Sequence, residues 1–131
     1  MKLLLDTHIL LWSLIDPVKL ATNVADQLEN PENELWLSPI TSWEIMVLAE
    51  RERIILDDGP EIWLKRMFRR LPFHRAPITH EVAIHSRCID LPHKDPVDRF
   101  LAATAIVYDL TLVTADEHLL TAEVCRTMAN S

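Results

Sequence analysis

The stretch Leu35-Trp36-Leu37-Ser38-Pro39-Ile40-Thr41-Ser42-Trp43-Glu44-Ile45 decides how this chain folds. Three apolar residues in succession, without alternation, mark a short strand covered on both faces. Ser38-Pro39 closes the run. The serine hydroxyl accepts from the first free N–H groups of a helix, and proline suits the first helical position. The helix so begun is expected to run to about Arg53. A strand passing directly into a helix is the unit from which parallel sheets are built.

Outward from that stretch the pattern recurs. Leu3-Leu4-Leu5 ends at Asp6, and Leu110 to Val113 ends at Thr114, while a weaker candidate strand covers Phe73 to Ala76. Helical spacing fits Thr7 to Ile15, Thr22 to Glu29, Glu61 to Arg70 and Thr79 to Ile89. Asp95-Pro96 repeats the cap-and-proline start ahead of Val97, Phe100, Leu101 and Tyr108. Strands alternating with helices imply right-handed crossovers and an α/β fold, a three-layer α/β/α sandwich around a parallel sheet.

The 131 residues suit a single domain spanning 1–131. Gly59 is the only glycine, which excludes a P-loop or a dinucleotide fingerprint and disfavours tight hairpins. Thirteen basic against twenty acidic side chains give a net charge of −7. Such a chain has no overall attraction for nucleic acid, so a nucleic-acid substrate must be held locally or through bound cations. Cys88 and Cys125, 37 positions apart, read as free thiols of a reducing compartment. No apolar run approaches the roughly 18–20 residues that span a bilayer. The expectation is a cytoplasmic protein with no membrane partner.

In open parallel sheets, ligands sit beyond the carboxyl ends of the strands. There the chain places Asp6, Asp116 (in Thr114-Ala115-Asp116), Glu44 on the helix after the second strand, and Asp95 and Asp98 in a helical first turn. Asp6, Asp95 and Asp116 each also read as helix caps, and Asp98 as a carboxylate favoured by the helix dipole. Glu44 falls on the stripe Ile40, Trp43, Glu44, Val47, Leu48, which is expected to face inward and to bury Trp43. A glutamate there needs a partner, either a buried arginine or other site groups. Acids gathered at one sheet edge repel one another until they take up protons or a cation. Oxygen-only ligands favour Mg²⁺ or Mn²⁺, the ions used for phosphodiester hydrolysis.

Other polar groups carry less. His80 and His85 are five apart, about 140° around a helix, so they cannot share one ion. His8, His74, His93 and His118 have no partner at ligand spacing and read as surface or capping residues. Lys65, Arg66, Arg69 and Arg70, with Arg75 nearby, read either as a solvated helix face or as a local track for a substrate backbone. Trp12, Trp36 and Trp63 read as core rather than as stacking platforms.

Taken together, Leu4-Leu5-Asp6-Thr7-His8, Ser38 to Ile45, His93-Lys94-Asp95-Pro96-Val97-Asp98-Arg99 through Ala103, and Leu112-Val113-Thr114-Ala115-Asp116 resemble the PIN domain. More narrowly they resemble the VapC-type toxins of type II toxin–antitoxin systems. The resemblance covers residues 2 to about 120. It implies a parallel sheet of four or five strands and a Mg²⁺- or Mn²⁺-dependent endoribonuclease acting on tRNA, rRNA or mRNA. It also implies a VapB-type antitoxin that lays its tail across the acidic groove, and a homodimer. By position, Asp6, Glu44, Asp98 and Asp116 match the family's metal-binding carboxylates, and Thr114 matches a residue that orients them. Asp95 is an extra acid. His8 stands where many relatives carry asparagine or serine, and it reads as a helix cap or as a contact to the metal's water shell. The tail from Thr121 lacks the usual apolar run, so a last edge strand is expected to be short or absent. Two other readings stay open: a Mg²⁺-binding phosphoacceptor receiver module, which lacks its expected lysine here, and a PIN relative that binds without cutting.

Overall fold

The computed structural model describes residues 1–92 and 94–131; His93, the start of one motif above, lies outside the described residues. Strands β1 (Lys2–Leu5), β2 (Glu34–Leu37), β3 (His74–Arg75), β4 (Thr111–Thr114) and β5 (Thr127–Ala129) form one sheet in the order β3-β2-β1-β4-β5, all parallel. The helices are α1 (Thr7–Ile15), α2 (Thr22–Glu29), α3 (Pro39–Glu50), α4 (Pro60–Arg70), α5 (His80–Cys88), α6 (Pro96–Tyr108) and α7 (Glu117–Ala122). Because β1 lies between β2 and β4, the chain first winds one way from β1 and later returns to its other side. That reversal is the topological switch point, and it falls between the ends of β1 and β4.

Alternation along the central strands sorts the core into two layers. Leu3, Leu5, Leu37 and Val113 pack with Ile9, Leu10, Val24, Ile45, Leu64 and Met67 from α1 to α4. Leu4 and Leu112 point the other way, onto Val97, Leu101, Ala102 and Ala105 of α6 and Leu119 of α7. The expected three-layer sandwich is therefore present, with five strands. Trp12 and Trp63 pack half-buried against the first layer and Trp36 against the second, as core residues.

Two local expectations need correction. The α3 helix stops at Glu50 rather than Arg53, because Glu52 turns left-handed (φ 55°) and the Arg53 N–H returns to the Leu48 carbonyl at 2.8 Å. With a single glycine available, Asp58, Asp109 and Glu123 also take positive φ; Asp109 closes α6 this way. Trp43 is not core: it is 56% exposed. The inward face of α3 is instead Thr41 and Ile45, a register set by the Ser38 hydroxyl accepting from the Ile40 N–H at 3.1 Å. A helix apolar almost all round leaves sequence periodicity unable to choose between these faces. The last edge strand is present and short, within the expectation. Asn130 holds it in place: its N–H donates to the Thr114 carbonyl, and its side chain bonds the Ala21 N–H and the Lys19 carbonyl.

Candidate metal and nuclease site

Asp6 leaves the end of β1 and is only 8% exposed. Its Oδ1 accepts from the Thr7 N–H at 2.7 Å, capping α1, and its Oδ2 accepts from the Thr114 hydroxyl at 2.6 Å. The capping reading therefore holds for Asp6. The same holds for Asp116, whose Oδ1 caps α7 through the His118 N–H, and for Asp95, whose Oδ1 caps α6 through the Val97 N–H. Caps at the ends of parallel strands are what turn helix starts toward one sheet edge.

The five acids converge electrostatically. Asp98, 5% exposed, has its carboxyl pushed up to about 8, first by burial and then by the charges of Asp116, Asp95 and Asp6. It also shares a hydrogen bond with the Asp116 carboxyl, which requires a proton between them. Asp6 is raised by burial and by Asp116, against the lowering effect of the Thr114 and Thr7 hydrogen bonds and of His8. Glu44 is raised by burial, then held back by the Thr7 hydroxyl and His8, while Asp6 and Asp95 push it further up. Side chains from four chain segments thus sense one another beside the switch point.

Glu44 is half-buried on the flank of α3, and the groups that set its charge are those of the site rather than a buried arginine. Thr7, fully buried, bonds Glu44 and has no role assigned from the sequence; its hydroxyl also lies 3.5 Å from that of Thr41. A buried threonine directly behind a site aspartate was the available signal. His8 does not cap α1, since Asp6 does. It is exposed, tilted against Trp12 at 5.8 Å, and close enough to Asp6 and Glu44 to act on both charges. His80 and His85 sit on α5 as surface and half-buried residues, and both cysteines are free.

Among the described residues, no three His, Cys, Asp or Glu side chains are drawn tightly enough together to chelate an ion unaided. The donor set fits Mg²⁺ or Mn²⁺ on chemical grounds: it is oxygen-only, crowded with like charge, and loose enough for an ion that keeps several of its waters. The crowding that lifts Asp98 is what a divalent cation would relieve.

The basic residues of α4 form a separate feature. Lys65 pairs with Glu61 at 3.0 Å and Arg66 with Asp58 at 3.1 Å, both at the surface, so the solvated-face reading holds for these two. Arg69 and Arg70 are exposed, and Arg75 at the edge strand lies over the Phe68 ring at 4.7 Å. Lys65, Phe68, Arg69 and Arg75 line a hollow of about 580 Å³. A more apolar hollow of about 690 Å³, lined by Leu14, Pro17, Leu20, Leu28 and Phe73, lies apart from the acids.

A model of the PIN domain matches residues 3–124. The chain belongs to the PIN-domain family. This PIN domain is 34% identical over 119 residues to Ribonuclease VapC22 of Mycobacterium tuberculosis, covering 88% of each chain. Its fold is shared with VapBC2 from Rickettsia felis bound to a promoter DNA fragment (TM-score 0.71, 16% identity, 98% of both chains). It is shared also with FitAcB from Neisseria gonorrhoeae (TM-score 0.69, 19% identity, 98% and 97% covered). No helix among the described residues of this PIN domain is long and apolar enough to cross a membrane.

Proposed function

We propose that this PIN-domain protein is an endoribonuclease toxin that hydrolyses RNA phosphodiesters, using Mg²⁺ or Mn²⁺ held by Asp6, Glu44, Asp98 and Asp116. One observation carries the reading: carboxylates from separate elements gather beside the switch point, where the charges of Asp6, Asp95 and Asp116 add to burial in raising the carboxyls of Asp98, Glu44 and Asp6. The ribonuclease relative supports it. A bound ion would supply an acidified water and charge stabilisation at the phosphate. The protein's own part is to hold four acids in register, with Thr114 orienting Asp6 and Asp116 and Thr7 orienting Glu44. Asp95 adds charge to the cup while capping α6. His8 acts on the charges of Asp6 and Glu44 and would meet the ion's waters or the phosphate.

The RNA would approach along the α4 side. Arg69 and Arg70, with Lys65 and Arg66 once released from their surface acids, supply the local positive charge that a −7 chain otherwise lacks. Arg75 extends that track to the sheet edge. A VapB-type antitoxin is the expected protein partner, consistent with relatives solved as VapBC assemblies. It would neutralise the cup by bringing an arginine where a cation would otherwise sit. A homodimer in the cytoplasm completes the reading. The decisive test is incubation of the purified chain with a structured RNA, with and without Mg²⁺ or Mn²⁺. Cleavage that EDTA abolishes supports the enzyme; metal-independent retention of RNA without cleavage would make the chain a binding-only relative.

A further inference from the structure

We infer that Arg99 is a positioning residue, a buried clasp that sets the rotation of the first turn of α6 and so places Asp98 in the acidic cup. Arg99 follows Asp98 directly and is only 9% exposed. Its Nε donates to the Ser86 carbonyl at 2.7 Å and its Nη1 to the Leu91 carbonyl at 2.6 Å. Its Nη2 reaches the Ile89 carbonyl at 3.1 Å and, at the limit, that of Arg87 at 3.5 Å. These acceptors belong to the last turn of α5 and the segment just beyond it. There helix carbonyls lack partners and the helix dipole favours a cation. One planar fork thereby fastens α6 to the end of α5 from several directions.

The need for such a fastening comes from the site. Asp98 is repelled by Asp116 and Asp6 on other elements and by Asp95 at the N-cap of its own helix. A twist of that turn by about 20°, with side-chain atoms on a radius of about 5–6 Å, moves a carboxylate by about 2 Å. Metal-ligand distances tolerate only about 0.2 Å. A guanidinium held by convergent carbonyls behind Asp98 resists that twist. A charge-preserving lysine cannot match it, because a single ammonium does not reproduce the flat, forked set of donors.

The inference rests on the metal-dependent reading above, and the test separates the two. Mn²⁺ affinity is measured by calorimetry, with RNA cleavage beside it, for the wild-type chain, Arg99→Lys, Arg99→Met and a control, Val24→Ala. The control truncates a fully buried side chain of α2, in the opposite core layer. Both Arg99 variants are expected to bind Mn²⁺ about 10–100-fold more weakly, the usual effect of losing a group that orients a ligand. Their kcat is expected to fall while KM for RNA holds, and Val24→Ala is expected to lose stability with unchanged Mn²⁺ affinity. Should Arg99→Met fail to fold, Arg99→Lys carries the comparison. Wild-type Mn²⁺ affinity in Arg99→Lys, or an equal loss in Val24→Ala, would overturn the clasp alone. A wild-type chain that binds no Mn²⁺ would overturn the metal reading and the clasp together.

Discussion

The Thr114 hydroxyl stands between Asp6 and Asp116: it donates to Asp6 Oδ2 at 2.6 Å and accepts from the Asp116 N–H at 3.0 Å. Thr114 is fully buried and ends β4, so one rotor ties together the two strand ends that flank the switch point. Its proton is committed to Asp6, which favours the charged carboxylate against the effect of burial.

Thr114→Val keeps the shape and removes the hydroxyl. Leaving Asp6 and the Asp116 N–H without that partner should cost about 1–3 kcal/mol in urea unfolding. Mn²⁺ affinity should fall by about 10–100-fold, with Thr114→Ser close to wild type. A valine variant that binds Mn²⁺ as tightly as the parent would show that the hydroxyl does not organise the site.

The raised carboxyls make the metal-free chain sensitive to pH in an unusual direction. Asp98 takes up its proton near 8 in the folded state but near 3.8 when unfolded, and Asp6 and Glu44 shift the same way. Between those values the folded chain holds more protons than the unfolded one, so stability falls as pH rises. The melting temperature without divalent ions should therefore drop from pH 5 to pH 8, by an amount on the order of a few kcal/mol in stability. Millimolar Mg²⁺ should restore it at pH 8. A metal-free chain that gains stability over that range would contradict the crowding described here.

Much of this was legible beforehand, for identifiable reasons. The strand ends at Leu5, Leu37 and Thr114 and the caps at Asp6, Ser38, Asp95 and Asp116 are set by local chemistry, which a sequence displays. The inward face of α3 was misread because that helix has apolar residues on every side; the choice between Trp43 and Ile45 is made by tertiary packing. The short β5 depends on Asn130 reaching across to Lys19 and Ala21, more than a hundred positions away. The importance of Thr7 and Arg99 lies in which carboxyl or carbonyl they meet, and only folding creates those meetings.

Asn130→Ala tests the anchoring of the tail. It removes two side-chain hydrogen bonds to the backbone and should lower stability by about 1–2 kcal/mol, roughly 3–6 °C in melting temperature. An unchanged melting temperature would mean that β5 is held by its strand pairing alone.

The basic track predicts a salt signature. Replacing Arg69 and Arg75 with glutamine should weaken binding of single-stranded RNA and lower the slope of log K against log salt by about 1–2. Asp98→Asn should leave that slope as it is. A double variant with the parent's slope would remove these side chains from the RNA path.

The central claim is that convergent acids run metal-dependent RNA cleavage, and Asp98→Asn tests it most directly. This nearly isosteric change relieves repulsion from Asp116, Asp95 and Asp6, so the metal-free variant should fold at least as stably as its parent. Single-turnover cleavage of RNA in Mg²⁺, measured on both folded proteins, should fall by about 100-fold or more in the variant. Cleavage by Asp98→Asn at the parent rate would contradict the account.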